Sequence, residues 1–149
     1  SFSLPVEVVD HLATVDPGRT AFVDYVRRDG WIFVPARVNG HEVLMMVESG
    51  SRDVNLNLLA ARRLGVETRA STLEWKGEEY PVQRADLTVE IGGLTCRCPD
   101  ALVDDFVLGN SWTGTASAGD LGPEFLRRYR FTIDPFGARL ILEELDPAS

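Results

Sequence analysis

The sequence predicts an all-β fold with two short helices. Three observations carry that expectation. Short β-branched and aromatic runs recur along the chain, turn signals built on Gly, Asn and Pro separate them, and only two stretches have the start and stop residues of a helix. At 149 residues the chain is the size of one domain with a core of its own. Residues 1–30 are expected to be an N-terminal extension packing on a main lobe formed by residues 31–149. Within the extension, Asp16-Pro17-Gly18 reads as a turn and Ala21 to Val26 as a short strand.

Trp31 to Val38 is the first strong strand, and Pro35, with no N–H to give, places it at an edge or a local bulge. Asn39-Gly40 is a hairpin signal because both positions tolerate φ > 0. Val43 to Val47 returns as a strand apolar on both faces, hence buried. It runs into Glu48-Ser49-Gly50-Ser51-Arg52, a carboxylate at a strand end followed by a tight polar turn. A helix over about Asn57 to Leu64 follows, capped by Asn55 or Asn57 and stopped by Gly65, with Leu56, Leu59, Ala60 and Leu64 on one face. Ser71 to Val82 reads as a hairpin with Trp75-Lys76-Gly77-Glu78 at its tip and Tyr80 on the returning arm. Leu87, Val89 and Ile91 alternate inward, Gly92-Gly93 turns, and Leu94, Cys96 and Cys98 alternate back. Ala101-Leu102-Val103 reads as a further strand, and Gly109 to Gly119, with Trp112, as a loop. Pro123 suits the first position of the second helix, and Phe131 to Leu142 closes the chain as a hairpin around Asp134-Pro135-Phe136-Gly137. Such a pattern makes a sandwich or a barrel.

A formal charge of −8 and a pI near 4.7 exclude nucleic acid or an anionic membrane as the main partner, since both need clustered positive charge. Arg127-Arg128-Tyr129-Arg130 is the dense basic group, read as the solvated end of the second helix. No apolar run reaches the length of a membrane span, so a membrane is not implied by this chain. No basic-then-apolar signal segment stands at its start, and the opening Ser1-Phe2-Ser3 reads as a mature form or a piece of something longer. No cofactor and no metal are expected: His11 and His41 are isolated, and Cys96-Arg97-Cys98 lacks further ligands at zinc-like spacing. Two residues apart on a strand is also poor spacing for a disulfide, which leaves the redox compartment open.

Taken in order, the Asn39-Gly40 turn, the apolar strand ending in Glu48-Ser49-Gly50, the helix ending Arg63-Leu64-Gly65, the Gly77 hairpin and Gly119-Asp120-Leu121-Gly122-Pro123-Glu124-Phe125-Leu126 resemble the retropepsin-like aspartic proteases, single-lobe bacterial members especially. The resemblance spans roughly Trp31 to Leu142 and implies a retropepsin-like closed β-barrel or sandwich lobe. In that family each of two lobes supplies an Asp-Thr/Ser-Gly, and the paired acids share a proton across a bound water. The resemblance implies that Glu48, Ser49 and Gly50 fill this position, with Arg52 and Asp120 as neighbours. It makes Trp75, Lys76, Gly77, Glu78 and Tyr80 a flap over an extended peptide, and Asp120-Leu121-Gly122 the brace of the active-site loop.

Three departures bear on function. Glu48 is one methylene longer than the family's Asp, Arg52 stands where a hydroxyl residue is usual, and Asp120 replaces an apolar residue. Arg52 would hold Glu48 ionised; Asp120 would pair with Arg52 or enter the site as a second acid. The expectation is therefore a degenerate protease-like domain that binds an extended peptide or protein segment, or assembles as a homodimer or with a second lobe of a parent chain, with little hydrolysis. An active aspartic-type endopeptidase using Glu48 is the alternative, and a plain interaction module the third reading. A periplasmic or secreted setting is implied only by the resemblance.

Overall fold

The computed structural model describes residues 17–48, 54–104 and 117–145. After a 3-10 turn at Pro17–Arg19 come eleven strands and two helices: β1 (Thr20–Asp24), β2 (Val26–Arg28), β3 (Trp31–Val38), β4 (His41–Val47), β5 (Asn55–Asn57), α1 (Leu58–Leu64), β6 (Arg69–Trp75), β7 (Glu78–Ile91), β8 (Leu94–Asp104), β9 (Gly119–Leu121), α2 (Pro123–Leu126), β10 (Tyr129–Asp134) and β11 (Arg139–Glu144). They form a three-stranded sheet, β1-β11-β10, and an eight-stranded one, β2-β3-β4-β9-β5-β8-β7-β6, in which β3 also pairs with β7. The fold is all-β with two short helices, a retropepsin-like lobe. Among the described residues no helix is long and apolar enough to cross a membrane.

The turns follow their residues. Asn39 and Gly40 take φ of 49° and 85°, and Lys76 and Gly77 take 50° and 80°, the left-handed pair of a two-residue hairpin. Asn39 also ties its hairpin to β7: its N–H donates to Thr88 O (2.9 Å), and its Oδ1 accepts from Thr88 N (2.8 Å). Asn57 caps α1 by accepting from Leu59 N and Ala60 N, and Gly65 ends the helix at φ 67°. Pro123 opens α2. The closing turn is held by Asp134 Oδ1, which accepts from Phe136 N and Gly137 N.

Three expectations change. Pro35 lies within an internal strand, yet β2 pairs with β3 only as far as Phe33 and β7 pairs only with Arg37 and Val38, so Pro35 falls in the gap between them. Leu59 is not on the buried face of α1: it is 56% exposed, and Ala61 is the buried residue. The segment around Ala101-Leu102-Val103 is the end of the eleven-residue β8, not a separate strand. A register shift at Ala85/Leu87 and a positive φ at Asp100 accommodate the irregularity without breaking the ladder. Arg128 is exposed, as expected, but its guanidinium also turns back onto Cys96, Cys98 and the carbonyl of Arg97.

The core runs through both sheets. Phe33, Met45, Met46, Leu56, Leu121, Phe125 and Leu140 are its largest fully buried side chains. Six of these seven lie on β4, β5, β9 or α2 or directly oppose β4, so the apolar packing is concentrated around the short strand β9. Burying each such side chain contributes roughly 1.5–3 kcal/mol, which fixes the strands that carry the site.

Candidate functional site

β9 is the centre of the site. It runs parallel to β4, with Met46 opposite Asp120 and Val47 opposite Leu121, and antiparallel to β5, with Asn55 opposite Asp120. Backbone bonds lock it in: Ala118 N donates to Leu44 O (2.8 Å), Asn57 N to Ala118 O (2.7 Å) and Glu48 N to Leu121 O (3.1 Å). Gly119 permits the crossing, because a Cβ there would stand 1.9 Å from the carbonyl oxygen of Asn55. β8 runs parallel to β5 and delivers Asp104 opposite Asn57.

Half-buried Glu48, just past β4, Asp104, at the end of β8, and Asp120, on β9, thus come to one end of the sheet. Asn55 sits among them, its Nδ2 donating to Asp104 Oδ2 at 3.5 Å, while its Oδ1 is buried with no partner among the described residues. Burial pushes the Asp120 carboxyl up from 3.8 to about 6, and the charges of Glu48 and then Asp104 push in the same direction. Asp120 therefore holds a proton through the mildly acid range beside a second acid of the same lobe. Asp120 is thereby a group able to donate a proton in that range. Among the described residues no His, Cys, Asp and Glu side chains are grouped to hold a metal ion.

Of the residues singled out in the sequence, Glu48 and Asp120 are brought together at the β4–β9 pairing. Ser49, Gly50, Ser51 and Arg52 lie outside the described residues, as do His11 and Trp112. His41 is exposed at the start of β4.

The β6–β7 hairpin forms with Trp75 opposite Glu78 and Leu73 opposite Tyr80. Trp75 and Tyr80 are 49% and 43% exposed, so neither is a core anchor. Tyr80 donates its hydroxyl to Glu78 Oε2 at 2.9 Å, and Lys76 Nζ stands 5.8 Å from the Trp75 ring centre, a loose cation–π contact. Sequence reading missed Asp104 and Asn55. Asp104 is one of many acids in the chain, and only the parallel β5–β8 pairing, which joins segments far apart in sequence, brings it here.

Solved structures with this fold include a retropepsin-like aspartic protease from Rickettsia conorii, 25% identical, with a TM-score of 0.55 over 84% of this chain and 93% of that one. The retroviral protease-like domain of Ddi1 from Leishmania major, 20% identical, has a TM-score of 0.50 over 78% of this chain and 94% of its own. No curated protein matches the chain. The aspartyl protease family model matches residues 34–125, well over half of the sequence and every strand from β4 to β9, and the chain belongs to that family.

Proposed function

We propose that this chain is a retropepsin-like lobe with a degenerate active site, serving peptide binding or lobe assembly with little hydrolysis. In this reading Glu48, followed by Ser49 and Gly50, takes the position of the family's catalytic Asp, and the β6–β7 hairpin is the flap. Its partner is an extended peptide or protein segment. The second lobe comes from another copy or from a longer parent.

One observation carries the reading: the acid at the end of β4 is not alone in its lobe. Asp120 lies on the strand whose Leu121 carbonyl accepts from Glu48 N–H, and the two acids repel enough to help raise Asp120. A working dyad brings one carboxyl from each lobe and shares one proton. Two lobes of this chain would instead bring Glu48, Asp120 and Asp104 twice over, crowding like charges where a single water must sit. The longer reach of Glu48 adds to this, since a misplacement of ~1 Å at a reacting centre costs about a hundredfold.

The same pair also gives the second reading its footing. Asp120 bears a proton up to about pH 6 with the Glu48 carboxyl beside it, and the 25% identical Rickettsia conorii structure is described as an aspartic protease. An active endopeptidase using Glu48 follows if the two-lobe geometry absorbs the extra methylene.

Cleavage of a diverse peptide mixture from acid to neutral pH, by wild type and Glu48→Gln, separates the two. The proposal expects no cleavage above the Glu48→Gln background. Wild-type cleavage that Glu48→Gln removes would establish the enzyme and overturn the degenerate reading.

A further inference from the structure

Away from the acid pair, the beginning of β8 carries a second cluster of reactive groups. Cys96 and Cys98 are both free, point to the same side of the strand and bring their sulfurs within 3.8 Å. Arg128, just after α2, covers them. Its Nη1 contacts Cys96 Sγ, lies 3.8 Å from Cys98 Sγ and donates to Arg97 O at 3.2 Å. Among the described residues Arg128 makes no ion pair with a carboxylate. A guanidinium has donors only, so the sulfur it touches acts as an acceptor, the role a thiolate fills best.

The two sulfurs are unequal. The hydrogen bond from Cys98 draws Cys96 down from 9.0 to about 6 against the cost of burial, with Arg128 and Tyr129 assisting. The same hydrogen bond and burial push Cys98 up, so it keeps its proton. Cys96 is 8% exposed and Cys98 1%, making Cys96 the outer of the pair. The guanidinium over both sulfurs opposes a bound cation and favours an anionic sulfur.

We propose that Cys96 is a peroxide-reactive thiolate with Cys98 as its resolving thiol. In the first step the Cys96 sulfur attacks the terminal oxygen of a hydroperoxide. An S–O bond forms, the O–O bond breaks, sulfur is oxidised by two electrons, and the departing alkoxide or hydroxide takes a proton from solvent. In the second step Cys98 attacks the Cys96 sulfenic acid. An S–S bond forms, the S–O bond breaks, and the oxygen leaves as water with the Cys98 proton. Two residues along a strand span roughly 6.6 Å, at the long limit for a bridge, but the side chains already converge. Arg128 is the positioning residue: it holds the negative charge on Cys96 and yields at the exposed face when peroxide enters.

The test is the reaction of the folded chain with hydrogen peroxide, followed by intact mass and peptide mapping, with the urea-unfolded chain as reference. At neutral pH the gain in thiolate fraction, roughly ninetyfold, is mostly offset by lower nucleophilicity, leaving a net rate about threefold to sixfold above the unfolded chain. Wild type should lose two hydrogens, mapped to Cys96 and Cys98. Cys98→Ser should instead gain one oxygen at Cys96, captured by a 1,3-diketone probe. Arg128→Gln should slow the first step about fivefold, and Arg128→Lys should recover most of it. Thiols that react more slowly folded than unfolded, or a first step indifferent to Cys96→Ser, would overturn the proposal.

Discussion

Gly119→Ala is expected to destabilise the chain by about 3 kcal/mol or more, enough to lower the melting temperature by roughly 10 °C. The added methyl would meet Asn55 O at 1.9 Å, Asn55 C at 2.9 Å and Leu56 Cα at 2.9 Å. All three are backbone atoms of β5, so no side chain can swing aside. Nor can β5 retreat, because it is paired to β8 on its far side and its last residue, Asn57, caps α1. Relief therefore requires parting β9 from β5, which also separates Asp120 from Asn55 and loosens the Leu121 carbonyl that receives Glu48 N–H. Gly40→Ala is the control. Gly40 has φ of 85° but open space around it, so the change costs only the left-handed strain of an alanine, about 1 kcal/mol. Thermal melts followed by circular dichroism compare the two. Equal, small losses would mean that β9 does not thread between β4 and β5.

The second large effect concerns activity. Glu48→Asp is expected to raise peptide cleavage at least about a hundredfold over wild type, as kcat/KM at mildly acid pH, because it withdraws the carboxyl by one methylene. The mild acid range matters because Asp120, at about 6, is then protonated and no longer adds its charge to the site. Above that range Asp120 ionises and the gain should shrink; Asp120→Leu in the Glu48→Asp background should extend it to neutral pH. Mass spectrometry of a peptide mixture reads both. If Glu48→Asp cuts no better than wild type, the length of the acid is not what silences this site.

Much of the fold was legible because certain residues admit few conformations. Asn39-Gly40 and Lys76-Gly77 require φ > 0 at both turn positions, Gly65 ends a helix in the left-handed region, and Pro123 can only begin one, so these elements formed as the sequence implies. β8 was less so. Pro99 and Asp100 look like a break, and only cross-strand pairing with β7 shows one continuous strand. The exposed Leu59 shows the limit of counting helical faces in a two-turn helix whose burial is set by neighbouring strands.

The site divides in the same way. Glu48 stood out as an acid ending an apolar strand, whereas its proximity to Asp120 depends on the parallel β4–β9 pairing of distant segments. Local pattern carries no trace of such a pairing; the family resemblance did. Asp104 had neither kind of signal. The contacts of Arg128 were hidden for a related reason: it is an exposed residue in a run of arginines, and its partners are sulfurs on a strand far away in sequence.

The acid pair within one lobe is the centre of this account, and the titration of Asp120 by carboxyl-carbon NMR tests it most directly. The account predicts a midpoint about 6 in wild type. In Glu48→Gln it predicts a lower midpoint, still above the ordinary 3.8 because burial, the larger cause, remains. An Asp120 that titrates in the ordinary carboxylate range, or whose midpoint ignores Glu48→Gln, would contradict it.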